Sequence, residues 1–211
     1  MMRGQCVHST YVRKDVRLPD GFEYHYFQCS DCGIVEYPPV QAQKLLDYSK
    51  EHLFMFVEDW ILAWMSARVG GEVVPVPGIT VMQKQLFIIT YEFAPEHNIP
   101  TENPGFKAYK YGPYAHRIDR ALQTLDDAGM IESIGRLNTN GERFYLTESG
   151  RNRGDAFLSR LGDGARRDLE ALKADLQQFT LDGLLTYVYS RYPEYTDESE
   201  IFERVLHRKR S

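Results

Sequence analysis

One stretch constrains the fold more than any other. Residues 106–150 read FKAYKYGPYAHRIDRALQTLDDAGMIESIGRLNTNGERFYLTESG. Ile118, Ala121, Leu122 and Leu125 recur at the spacing that puts side chains on one face of a helix. Gly129 follows and supplies the left-handed residue that ends helices. Met130, Ile131 and Ile134 then start a strand, Asn138, Thr139, Asn140 and Gly141 make a hairpin turn, and Phe144, Tyr145 and Leu146 return. Thr147 caps the next helix, with Gly150 at its third position in place of the Glu or Gln of a full capping box. Helix, strand, turn, strand, in that order, is the second half of a winged helix.

The rest of the 211 residues must then be apportioned around that unit. Hydrophobic residues make up 43 %, enough for a packed core. The net charge of -5 argues against a protein that coats nucleic acid non-specifically, though it leaves room for a local basic face. No apolar run approaches the roughly 20 residues that span a bilayer, and the first residues, MMRGQCVHST, lack the apolar centre of a signal peptide. A cytoplasmic protein with no membrane contact is expected.

All three cysteines fall within the first 32 residues. Cys6 and His8 form a C-x-H pair, and Cys29 and Cys32 form C-x-x-C followed by Gly33. Two β-prone runs, 7–16 and 22–27, are joined by Pro19, Asp20 and Gly21, a strong turn signal. A hairpin of this kind brings both pairs to one ion. Thiolates with imidazole are the usual structural zinc set, and four protein ligands leave no open position for catalysis. Zn2+ held by Cys6, His8, Cys29 and Cys32 is therefore expected, with His25, in mid-strand, as the competing imidazole. The segment resembles the small zinc ribbons of phage and archaeal proteins over roughly its first 37 residues.

Pro38 and Pro39 end that unit. From 40 to 69 the pattern predicts one connecting amphipathic helix, with Leu45, Leu46, Leu53, Phe56, Val57, Trp60, Ile61, Trp64 and Met65 on its stripe, stopped by Gly70 and Gly71. Residues 72–78 read as a linker, and Thr80 as the N-cap of a helix ending before Pro95. Phe106, Tyr109 and Tyr111 alternate like a short strand. Beyond the winged helix, residues 165–179 predict an amphipathic helix, Thr180 caps a second, and Thr196 a third containing Ile201, Phe202 and Val205. The expected architecture is thus α+β: zinc ribbon hairpin (1–37), connecting helix (38–71), winged helix (79–161) and helical tail (165–211). The apolar faces of 40–69 and 165–179 are candidate homodimer surfaces.

Within residues 79–161, MQKQLFIITYEF, then F-x-x-Y-x-YGPY, then I-x-x-A-L-x-x-L-x-x-x-G-x-I, then Y-x-LT-x-x-G resemble a group of poorly characterised archaeal and bacterial winged-helix proteins. These commonly carry Leu-Gln-Lys-Leu in the first helix and Tyr-Gly-Pro-Tyr-Ser before the second. The resemblance extends more distantly to the Panacea antitoxin domain, where Tyr-Gly-Pro also precedes a helix. It implies DNA binding or neutralisation of a protein partner. The chain departs from the pattern at Ala115, where the family usually has a capping Ser, and its Met82-Gln83-Lys84-Gln85 is a looser match.

In a winged helix the helix after the turn enters the major groove, and the wing reaches backbone or minor groove. The expected nucleic-acid contacts are His116, Arg117, Arg120 and Gln123 on the helix, Arg136, Asn138, Asn140 and Arg143 on the wing, and Arg151 and Arg153 beyond it. Asp119, Asp126, Asp127, Glu132, Glu142, Glu148 and Asp155 offset these arginines over the same window. No nucleophile elbow, phosphate-binding glycine loop or helical His/Glu metal pair is present, so no enzyme is expected. The leading expectation is a non-catalytic regulator on double-stranded DNA. The alternatives are a protein-interaction module, antitoxin-like or a phage-related adaptor, and a ribosome or RNA-polymerase accessory protein.

Overall fold

A computed structural model describes residues 10–135, 141–201 and 205. The fold is α+β, with helices around small antiparallel sheets. At the N-terminus, Gly21 N donates to Leu18 O and Leu18 N to Phe22 O, closing the turn between β1 (Tyr11–Arg17) and β2 (Glu23–Cys29). The strands pair in register from Tyr11 opposite Cys29 to Arg17 opposite Glu23. A short β3 (Val35–Glu36) adds on the far side of β2, a strand too brief to leave a period in the sequence. Residues 7–9 of the expected first run lie outside the described residues. Tyr24 and Tyr26 turn inward from β2 onto Leu45 and Phe54, forming a small core of their own.

The single helix expected over 40–69 is two helices, α1 (Pro39–Glu51) and α2 (Val57–Ser66). Met55 causes the break. Its N–H donates to Pro100 O at 3.0 Å and its carbonyl accepts from Glu102 N at 2.9 Å, groups that a helix would have used internally. The two halves then diverge. α1 covers the N-terminal sheet through Leu45, while α2 is the centre of the main core, with Trp60, Ile61, Leu62, Ala63, Trp64 and Met65 all buried. Much of the apolar stripe offered as a dimer face is therefore consumed inside the chain. Val40 and Leu46 are the large apolar side chains of that stretch left exposed.

The expected linker at 72–78 is also structured. Gly70 and Gly71, both at positive φ, turn β4 (Arg68–Val69) into β5 (Glu72–Val73). Val76 then exchanges backbone hydrogen bonds with Phe144, at 3.1 and 2.9 Å. α3 (Gly78–Ile88) begins before Thr80, because Glu142, fully buried, takes the amide of Ile79 with Oε2 at 3.2 Å. Nor does the helix stop before Pro95. A π-helical turn, Ile89–Phe93, leads into α4 (Ala94–Glu96). Pro95 has no N–H for the carbonyl of Tyr91, and the widened turn accommodates it.

After a loop over 97–115 come α5 (His116–Asp127), β6 (Ile131–Ile134), β7 (Arg143–Leu146) and α6 (Glu148–Leu161). Gly129 N bonds to Asp126 O and Met130 N to Leu125 O, the paired bonds of a Schellman stop. Thr147 caps α6 by accepting from Gly150 N at 3.1 Å. α7 (Asp163–Gln177) and α8 (Leu181–Arg191) follow, the latter capped by Thr180. They are no separate tail: Leu169, Leu176, Leu184, Leu185, Val188 and Tyr189 share one core with α2, α3 and α5. On residues 165–179, Phe179 remains exposed. Val205 belongs to a helical turn and is buried, while Phe202 lies outside the described residues. No described helix is long and apolar enough to cross a membrane.

Candidate metal-binding turn and candidate nucleic-acid interface

Cys29 ends β2, and the chain folds back at once. Cys29 N donates to Ile34 O at 2.9 Å, Gly33 N donates to Cys29 O at 3.0 Å, and Gly33 sits at φ 76°. This compact turn holds Cys29, fully buried, and Cys32, partly buried. Ser30 N donates to Thr10 O at 3.0 Å, so the described chain begins against the same turn. Cys6 and His8 lie outside the described residues, four and two positions before Thr10. Among the described residues alone, no group of three ligand side chains converges. His25 is a poor alternative ligand. It precedes Cys29 by four positions on an extended strand, a separation of about 13 Å at ~3.3 Å per residue. Ligands of one zinc stand within about 2.3 Å of the metal.

The start of α5 is held by polar residues that are buried. Gln83, Lys84 and Gln85, consecutive on α3, are 1, 2 and 3 % exposed. Gln83 Oε1 accepts from Ala115 N, and its Nε2 donates to Ala115 O and to Asp119 Oδ1, all within 3.0 Å. Lys84 Nζ donates to Pro113 O at 2.7 Å. Gln85 Oε1 accepts from Trp64 Nε1 at 2.8 Å. Ala115 has no side chain to cap α5, and Gln83 fixes that position from the neighbouring helix. Gly112, at φ 78°, lies where a Cβ would meet Tyr189 Cε1 at 2.5 Å, which is why the tip of this segment needs glycine. The two motifs that look separate in sequence, Gln-Lys and Tyr-Gly-Pro-Tyr, are two sides of one contact.

The side chains offered to nucleic acid divide sharply. Arg117 is removed from the list. Its guanidinium bonds Glu58 through Nη1 at 2.7 Å and Nη2 at 2.5 Å, and Glu102 through Nε at 2.7 Å and Nη2 at 3.1 Å. Burial alone would push its pKa down, but hydrogen bonds to Glu58 and the charge of Glu102 outweigh that and raise it. Burial pushes the Glu102 carboxyl up, against the pull of Arg117. A guanidinium clamped between two carboxylates has spent four of its five N–H donors, and its charge is already neutralised before any phosphate arrives. His116, Arg120 and Gln123 are exposed on α5, with Gln123 Nε2 donating to Asp127 Oδ1 at 2.8 Å. Arg143 is partly buried on β7 and donates to Glu142 O at 2.8 Å. Arg151 and Arg153 are exposed on α6, and Arg153 lies over the Phe157 ring. Arg136, Asn138 and Asn140 lie outside the described residues.

The Glu58–Arg117–Glu102 cluster gave no signal in sequence, because its members are scattered and each reads as a surface charge. The run Gln83-Lys84-Gln85 gave a weak one: three polar residues between Met82 and Leu86, where the apolar pattern has no room for them. Compared with family models, curated proteins and solved structures, the chain has no match.

Proposed function

We propose that the chain is a non-catalytic, winged-helix DNA-binding regulator whose N-terminal segment is a structural zinc ribbon. The observation that carries this reading is the order of elements around α5. α2, the Val76 strand position, α3, α5, β6 and β7 follow one another as in a winged helix, and Val76 pairs with β7. α5 buries Ile118, Ala121, Leu122 and Leu125 and leaves His116, Arg120, Gln123 and Thr124 outward, the face that would enter a major groove. Exposed Arg151 and Arg153 on the next helix would meet the backbone. For the metal, two cysteines in one glycine-closed turn fit half of a structural zinc site, and Cys6 and His8 supply the other half. Bound there, zinc would tie the start of the chain to the β2–β3 turn. It supplies no reaction.

The test is binding of duplex DNA over a salt series by the wild type, R120A and R151A. Each variant should weaken binding and lower the salt slope by about 1. Unchanged affinity and slope in both would remove the DNA reading.

One observation favours the rival, a protein-interaction module of the antitoxin-like kind. On the outer face of the hairpin, Ile134 is 56 % exposed and Tyr145 37 % exposed. Arg143 stands opposite Ile134 and Glu132 opposite Tyr145, so the charges on that face balance instead of presenting a basic surface. A stoichiometric protein partner lost on I134E, with no duplex binding by the wild type, would favour this reading.

A further inference from the structure

The N-terminal unit is fastened to the segment that launches α5, and the fastening runs through the cysteine turn. Gly33 and Gly105, both at positive φ, face each other so closely that a Cβ on Gly33 would lie 2.5 Å from Gly105 O. A Cβ on Gly105 would collide with Gly33 O. Beside them Lys107 Nζ donates to Ser30 O, inside the Cys29–Cys32 turn, at 3.0 Å. Asn103 reaches Tyr26 OH at 2.7 Å and also accepts from Gly105 N at 2.9 Å. Lys107 in turn pairs backbone to backbone with Tyr114, at 3.0 and 2.9 Å, around the Tyr109–Gly112 turn. Tyr114 OH bonds Asp119 on the first turn of α5, and the next residue, Ala115, is the helix N-cap. A continuous set of contacts thus runs from the cysteines to the first turn of α5.

We propose that the Cys29–Gly33 turn is a latch: metal held at Cys29 and Cys32 sets how firmly the 103–115 segment, and through it the start of α5, is held. This rests on the metal reading above and assigns the ribbon a regulatory role toward the helix that reads the partner. A turn closed by one ion cannot splay, so Ser30 O and the Gly33 backbone stay where Lys107 and Gly105 meet them. Without the ion, the turn keeps its backbone bonds and its contacts with Thr10 and Lys107 but loses the cross-link between its two ends.

The experiment is amide hydrogen exchange on the full chain, zinc-loaded and after chelation, with zinc content read by native mass spectrometry. The latch requires severalfold faster exchange after chelation at Gly105, Lys107, Tyr109, Gly112, Tyr114 and Ala115, whose N–H groups are bonded in this segment. G105A and K107A should reproduce that acceleration while zinc stays bound. K107A guards against G105A failing merely because alanine is strained at that backbone conformation. Zinc bound, but with chelation and both variants leaving exchange over 105–118 unchanged, would overturn the latch and leave the metal reading intact. A chain that binds no zinc would overturn the metal reading, and the metal control with it.

Discussion

Arg117 is where sequence and structure part most clearly. Its position on the outward-reading helix and its charge make it a natural phosphate contact. Instead it neutralises Glu58 and the fully buried Glu102, whose Oε2 also accepts from Val57 N at the start of α2. R117A would strand that carboxylate. It should lower the unfolding free energy by about 3–5 kcal/mol, read as a fall in the urea midpoint, and a loss below about 1 kcal/mol would contradict the cluster. Lys84 makes a second residue-scale prediction. Burial pushes its ammonium down to about 7, and Lys173, which donates to Met65 O and Ala67 O, is pushed down to about 7 as well. Both folded values lie below the unfolded value of 10.5. Between the two the unfolded chain binds more protons, so stability rises with pH across that window, by up to about 1.4 kcal/mol per pH unit for each lysine. K84M removes one contribution. Urea titrations should give a shallower rise for the variant than for the wild type, and identical slopes would mean Lys84 does not titrate in this way.

Elements were legible where their cause was local. The face of α5, its Schellman stop at Gly129 and the caps Thr147 and Thr180 all follow from residues within one turn of the effect. Element boundaries set by distant partners were not. Met55 breaks the 40–69 pattern because Pro100 and Glu102 claim its backbone, and Glu142, more than 60 positions away, supplies the cap that Thr80 was expected to give. The contact of α2 with α6 is equally silent in sequence. Gly154 faces Leu62 O and Ser66, and a Cβ there would stand 2.5 Å from that carbonyl. G154A should therefore destabilise by roughly 1–3 kcal/mol. G164A, with open space around it on α7, should stabilise by about 0.4–1 kcal/mol. Thermal unfolding of both variants decides it: a midpoint that G154A leaves unchanged or raises would contradict the close α2–α6 contact, and one that G164A lowers would contradict the open space on α7.

For the molecule as a whole, the Cys29–Gly33 turn and the helix-hairpin order were readable from the chain, but their relationship was not. From the sequence, the expected zinc ribbon and the expected winged helix fall in separate domains. In the fold the intervening helix splits between two cores, and the 97–115 loop joins the cysteine turn to α5. The described helices of the tail pack into the same core. The central claim is that the outward face of α5, with the hairpin and the start of α6, meets duplex DNA. Amide exchange of the zinc-loaded chain with and without a saturating duplex tests it most directly. If duplex DNA sits there, protection gathers over 116–124, 131–134, 143–146 and 148–153. Protection elsewhere, or none, would contradict it.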